Sequence, residues 1–207
     1  MKVLVACEFS GIVRDAFAAK GHDAWSCDLL PTERAGQHIQ DDVRDNLCQE
    51  WDLMIAHPPC TYLANSGVRW LSRDKSRWQK MFDAATFFRE LLAAPIDRIC
   101  IENPIPHSHW NPPEYSQVIQ PWMFGHPEQK ATCLWLRNLP KLRPTNDVKD
   151  QMLKLPDNKR QRLHYLPPSK DRQKIRSRTF QGIAAAMAEQ WGTLVAAGTR
   201  EQGVSEG

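Results

Sequence analysis

Five short apolar runs recur along the 207-residue chain, and the most telling of them stop abruptly at polar residues. They are Lys2 to Cys7, His22 to Asp28, Leu53 to Ala56, Arg98 to Ile101 and Ala131 to Leu136. Runs of this length are too short for buried helices and suit strands covered on both faces. Between the first two, the turn Cys7-Glu8-Phe9-Ser10-Gly11 opens a helical pattern that Ser10 caps and that runs to Lys20, with Gly21 as its stop. A second helix is predicted over Ser72 to Ala94, with Trp78, Met81, Phe82, Ala85, Phe88 and Leu92 near one face, Ser72 as cap and Pro95 as stop. A third covers Thr179 to Ala196. Strands separated by helical crossovers imply an α/β fold: a mainly parallel sheet with helices on both faces, whose ligands sit beyond the carboxyl ends of the strands.

The length suits one domain over residues 1–207, with 141–178 a basic irregular segment and 179–196 a closing helix. A mean hydropathy of −0.54 argues against a membrane protein, and the run after Met1 reads as a strand instead of a signal peptide. Six cysteines without close pairing suggest neither a disulfide framework nor a four-thiol zinc site, and fit a cytoplasmic protein. Charge is uneven. Lys141 to Arg178 holds twelve Lys or Arg against four Asp, a surplus of eight; the chain total of +3 leaves −5 for the remainder. Such a segment suits an anionic partner, nucleic acid first, or is a solvated polar loop.

Chemistry gathers at the ends of the runs. A Gly turn between strand and helix lets a nucleoside-bearing ligand approach, although alone it is no more than a turn. Asp28, about 20 residues on, is placed to accept hydrogen bonds from ribose hydroxyls. Asp42 suits an adenine amino contact or a helix cap. In Pro58-Pro59-Cys60 two prolines stiffen a loop that holds a thiol at the binding edge, where a nearby cation would favour the thiolate. Glu102, at the end of the next strand, faces the same edge and suits a general acid. A zinc reading of His57, Cys60, His107 and His109 matches no common spacing.

Taken together, these motifs resemble the cytosine carbon-5 DNA methyltransferases, whose hallmark is a Pro-Pro-Cys loop followed later by Glu-Asn after a strand. The matching residues are Phe9, Gly11, Asp28, Asp42, Pro58-Pro59-Cys60, Ser66-Gly67 and Glu102-Asn103. The resemblance implies a Rossmann-like class I fold that uses S-adenosylmethionine, bound by Phe9, Ser10, Gly11, Asp28, Asp42, Pro58 and Gln181, with Gly182 beside it. It implies that Cys60 adds to ring carbon 6 of cytosine while Glu102 protonates ring nitrogen 3, with Lys130 in support. It assigns Pro59, Asn103, Ser66, Gly67, Arg176 and Arg178 to the substrate, and no metal.

The chain departs from that family in two places. Only about 75 residues separate Pro104 from the last helix, too few for a separate DNA-reading domain, and Pro104 follows Glu-Asn where the family has Val. The basic segment 141–178 would then hold DNA, with Trp110, Trp122 or Trp135 as stacking surfaces or, as is more common for tryptophan, as core and packing residues. Two alternatives stand beside this reading. One is the same chemistry on a free pyrimidine nucleotide or with a modified methyl donor, and the other is an inactive nucleic-acid-binding decoy.

Overall fold

The first strand, β1 (Lys2–Ala6), feeds two separate cores at once. Side chains alternate along a strand, so Leu4 and Ala6 enter one apolar cluster while Val3 and Val5 enter the other. In β4 (Leu53–Ala56) Met54 and Ala56 take the first side and Leu53 and Ile55 the second. β5 (Arg98–Pro104) repeats the division through Ile99 and Ile101 against Cys100. A sheet apolar on both faces has to be covered on both. In this computed structural model, which describes residues 1–193, α2 (Ser76–Ala93) covers one face through Met81, Ala85, Phe88 and Leu91. α1 (Ile12–Ala18) and α6 (Gln181–Gly192) cover the other through Val13, Phe17, Ile183, Met187 and Trp191. Each large apolar side chain buried this way stabilises the fold by about 1.5–3 kcal/mol.

Four further strands complete a seven-stranded sheet: β2 (Asp23–Asp28), β3 (His38–Gln40), β6 (Gln117–Ile119) and β7 (Thr132–Arg137). Their order is β3-β2-β1-β4-β5-β7-β6. The first five are mutually parallel, β7 runs antiparallel to β5, and β6 runs antiparallel to β7. The chain is therefore α/β, as the alternating pattern predicts. Strand order reverses between β1 and β4, which opens a crevice beyond their carboxyl ends.

Several expectations need correction. β3 and β6 were not expected; both are three-residue edge strands, too short to show periodicity. The long helix starts at Ser76, because Asp74 accepts from the Ser76 amide and hydroxyl at 2.9 and 2.7 Å. Ser72 instead donates to the Arg69 carbonyl. Phe82 points outward, and Leu91 takes the buried place expected for Leu92. The basic segment is not wholly irregular: it holds α3 (Lys149–Leu153), α4 (Asp157–Arg160) and α5 (Arg172–Ser177). The last helix begins at Gln181, and the Ala196 end assigned to it lies outside the described residues.

Candidate active site

Sheet register brings the two central groups together. Ala56 of β4 pairs with Ile101 of β5, so the next residues, His57 and Glu102, lie side by side and leave the sheet on one face. His57 Nδ1 and Glu102 Oε2 are 2.8 Å apart, with side chains only 9% and 11% exposed. His57 Nε2 is buried and has no hydrogen-bond partner among the described residues. Immediately after His57 the chain turns through Pro58 and Pro59, and Cys60 closes that turn by accepting at its carbonyl from the Leu63 and Ala64 amides. Asn103 Nδ2 donates to the Pro58 carbonyl at 3.2 Å, tying the cysteine loop to the end of β5.

Cys60 and Glu102 line one cavity of about 1020 Å³, together with Lys130 and Arg176. Pro59, Ser66 and Gly67 are also on its wall. Lys130 Nζ donates to the Arg176 carbonyl at 3.0 Å, which fixes α5 against the chain entering β7. Burial, then the Glu102 carboxylate, raise the Cys60 thiol above its usual range, against the opposing pull of Lys130 and Arg176. The expected cation effect is present but loses, and the resting group is a thiol. Burial also pushes the Glu102 carboxyl up, yet the His57 hydrogen bond and the Lys130 charge outweigh it and leave the acid below its ordinary value.

Among the described residues four cations, Arg77, Lys130, Arg172 and Arg176, line the cavity against the single carboxylate of Glu102. Trp70, which is 41% exposed, lies on the same wall as Arg77, with Arg69 and Arg73 over its ring at 5.1 and 5.2 Å. None of these three features was anticipated: Trp70, Arg77 and the partnership of His57 with Glu102. Only the parallel register could have shown the last. The tryptophans proposed for stacking lie elsewhere. Trp110 and Trp135 are buried, pack edge-on against Phe88, and donate to the Leu63 and Pro113 carbonyls. Trp122 lies under Lys149 away from the cavity.

The turn after β1 is organised by a residue the sequence reading passed over. Buried Glu8 accepts from the Val13 and Arg14 amides at 2.7 and 3.2 Å, and from the Ser10 hydroxyl at 3.1 Å. It is the main cap of α1, while Ser10 only accepts from the Ile12 amide at 3.3 Å. Gly11 has φ 69°, and a Cβ there would strike the buried Arg14 guanidinium, so glycine is required by the fold alone. Phe9 is buried beneath Lys174. Asp28 stands at the end of β2, accepting from the Leu30 amide at 2.9 Å, and burial raises its carboxyl. Asp42 is engaged by Arg44 and caps the helical turn Val43–Asn46, the structural one of its two readings.

Four more of the assigned substrate and cofactor residues lie off the cavity wall. Arg178 pairs with Glu33 at 3.0 and 2.8 Å, outside the cavity. Gln181 is exposed at the start of α6, and a Cβ on Gly182 would run into the Phe124 carbonyl, so Gly182 serves helix packing. Asn103 is buried and holds the loop instead of facing the cavity. His107 Nε2 donates to the Tyr62 carbonyl, and no group of three or more potential metal ligands is gathered among the described residues.

No protein-family profile matches the chain, and no curated protein matches it. Among solved structures it is similar to a protein described as a candidate DNA modification methyltransferase encoded within a prophage of E. coli. The TM-score is 0.45 with 17% identity over 75% of this chain, which spans 55% of that protein's length. No helix of the described residues is long and apolar enough to cross a membrane.

Proposed function

We propose that this chain transfers a methyl group from S-adenosylmethionine to carbon 5 of cytosine in DNA, through a covalent adduct on Cys60. The observation that carries the reading is the convergence of Cys60, Glu102, Lys130 and Arg176 on one cavity. Cytosine carbon 5 is a poor nucleophile until a sulfur has added to carbon 6 and the charge that develops on the ring is neutralised. Cys60 supplies the sulfur. Glu102 holds ring nitrogen 3 and delivers a proton there. Lys130 and Arg176 offset the carboxylate's effect on the thiol and hold the substrate's phosphate.

The strand order, with one antiparallel strand between β5 and β6, supports a Rossmann-like class I methyltransferase fold. The residues at the end of β2 suit the donor. Asp28 keeps carboxylate capacity for ribose hydroxyls, and the neighbouring Leu29, 71% exposed, offers an apolar surface for adenine. When bound there, S-adenosylmethionine supplies the electrophilic methyl group. Asp42 drops out of this set because Arg44 occupies it.

Four cavity cations against one carboxylate suit a polyanion, and Trp70 between Arg69 and Arg73 suits a base out of the stack. A cavity of about 1020 Å³ is also the size that holds a small ligand, which supports a free pyrimidine nucleotide as second substrate reading.

A duplex carrying 5-fluorocytosine tests the proposal, because fluorine blocks the final elimination. With S-adenosylmethionine present, the wild-type protein is expected to form a denaturation-resistant complex and Cys60→Ser none. A complex that survives Cys60→Ser, or none with either duplex or fluorinated nucleotide, overturns it; trapping of the nucleotide alone selects the second substrate.

A further inference from the structure

Glu102 faces a difficulty in the role given to it. Held below the ordinary carboxylate range by His57 and Lys130, against its burial, it rests ionised and has no proton of its own to give. The reaction consumes one proton at ring nitrogen 3 when sulfur adds to carbon 6. A neighbouring group must load the carboxylate.

We infer that His57 is the positioning residue of Glu102, holding its carboxylate through Nδ1 and relaying to it the proton destined for the ring. The inference rests on the cytosine reading for the identity of the ring, and on geometry for the rest. Nδ1 lies 2.8 Å from Glu102 Oε2, and the His57 side chain is 9% exposed. Nε2 is buried without a partner among the described residues, although His57 lines the same cavity as Cys60. A buried ring nitrogen left open normally costs stability, so one that persists invites a functional reason. An imidazole can take a proton on one nitrogen and release one from the other.

The step balances within the cavity. The Cys60 S–H bond breaks as Sγ bonds to carbon 6, the π pair of the carbon 5–carbon 6 double bond shifts to the carbon 4–carbon 5 bond, and the carbon 4–nitrogen 3 π pair moves to nitrogen 3, which takes the proton. The thiol proton enters the cavity, His57 accepts a proton at Nε2, and its Nδ1 proton passes to Glu102 and on to ring nitrogen 3. One proton leaves and one arrives. Lys130 from the entry to β7 acts on Glu102, the Glu102 charge acts in turn on Cys60 in the loop after β4, on Cys100 within β5 and on Cys133 in β7, and Arg176 of α5 acts on Cys60.

The test reads the pair in the free protein first. Glutamate labelled at the side-chain carboxyl carbon, with Glu102 assigned through Glu102→Gln, is titrated by NMR in wild type and His57→Gln. Wild-type Glu102 is expected to show a second step besides its own. In His57→Gln that second step disappears. A single Glu102 step in wild type overturns the inference whatever the substrate. In trapping with 5-fluorocytosine duplex, His57→Gln is expected to lose at least about tenfold in rate with unchanged DNA affinity, and to lose the wild-type pH dependence. Wild-type rate and pH profile in His57→Gln overturn the inference; coupled titration in a wild-type protein that never traps DNA or nucleotide overturns the function reading instead.

Discussion

The side-chain amide of Asn103 donates to the Pro58 carbonyl at 3.2 Å, so the strand end that carries Glu102 is tied to the loop that carries Cys60. Asn103 is 1% exposed, and its loss leaves that carbonyl without this donor in a buried setting. Asn103→Ala is expected to lower stability by about 1–3 kcal/mol in urea unfolding. It should also slow adduct formation more than that loss explains, because the two reacting groups would lose their fixed spacing.

Cys60 should resist alkylation at neutral pH. Burial and the Glu102 carboxylate hold it as a thiol, so its reaction with iodoacetamide, followed by mass spectrometry against exposed Cys48, is expected to rise at higher pH than for an ordinary thiol. Glu102→Gln should move that rise toward neutrality, and Lys130→Met should move it further away.

Asp28 is expected to trade stability for binding. Its carboxyl is raised by burial, so the folded state disfavours the ionised form. The destabilisation is absent below the unfolded pKa, grows as pH rises through the range between the unfolded and raised folded values, and is full above it. Asp28→Asn removes it while keeping an acceptor for the Leu30 amide. Above that window the variant should melt higher than wild type, and isothermal titration should show weaker S-adenosylmethionine binding.

Two tryptophans should behave in opposite ways. Trp110→Ala empties a buried site against Phe88 and is expected to cost about 3–5 kcal/mol of stability. Trp70→Ala should leave the melting temperature nearly unchanged and weaken single-stranded or flipped-base DNA binding by about 1–3 kcal/mol. Fluorescence anisotropy over a salt series checks this, and Arg172→Ala or Arg176→Ala should each flatten the logarithmic salt slope by about 0.9 if it contacts a phosphate.

The central strands were legible because burial on both faces leaves continuous apolar runs: Leu53 to Ala56 needs no context to be read. His38-Ile39-Gln40 offers nothing comparable, since an edge strand of three residues is held by its neighbour β2 and not by its own pattern. Cys60 and Glu102 stood out through their positions after apolar runs. His57 did not, because its partner lies 45 residues away and is fixed by strand register, which sequence spacing does not carry. The sequence leaves the tryptophans undecided between rim and core for a related reason. An indole looks the same in a core as on a rim, and only the packing of Phe88 against Trp110 and Trp135 separates them from Trp70. The basic segment was visible as charge but not as pairing: Arg160, Arg162 and Arg178 are spent on Asp157, Glu128 and Glu33, while Arg172 and Arg176 reach the cavity.

The buried carboxylate of Glu8 has a bearing on selectivity among the nucleotides a cell contains. The first amides of the helix after β1 are where a dinucleotide or a nucleoside triphosphate would seat its phosphates, and here Val13 and Arg14 already donate to an anion supplied by the chain itself. A phosphorylated competitor arriving at that turn meets a negative charge in place of free donors. Under the proposed function, a cationic sulfonium nucleoside meets no such barrier, and the turn favours it over phosphorylated rivals.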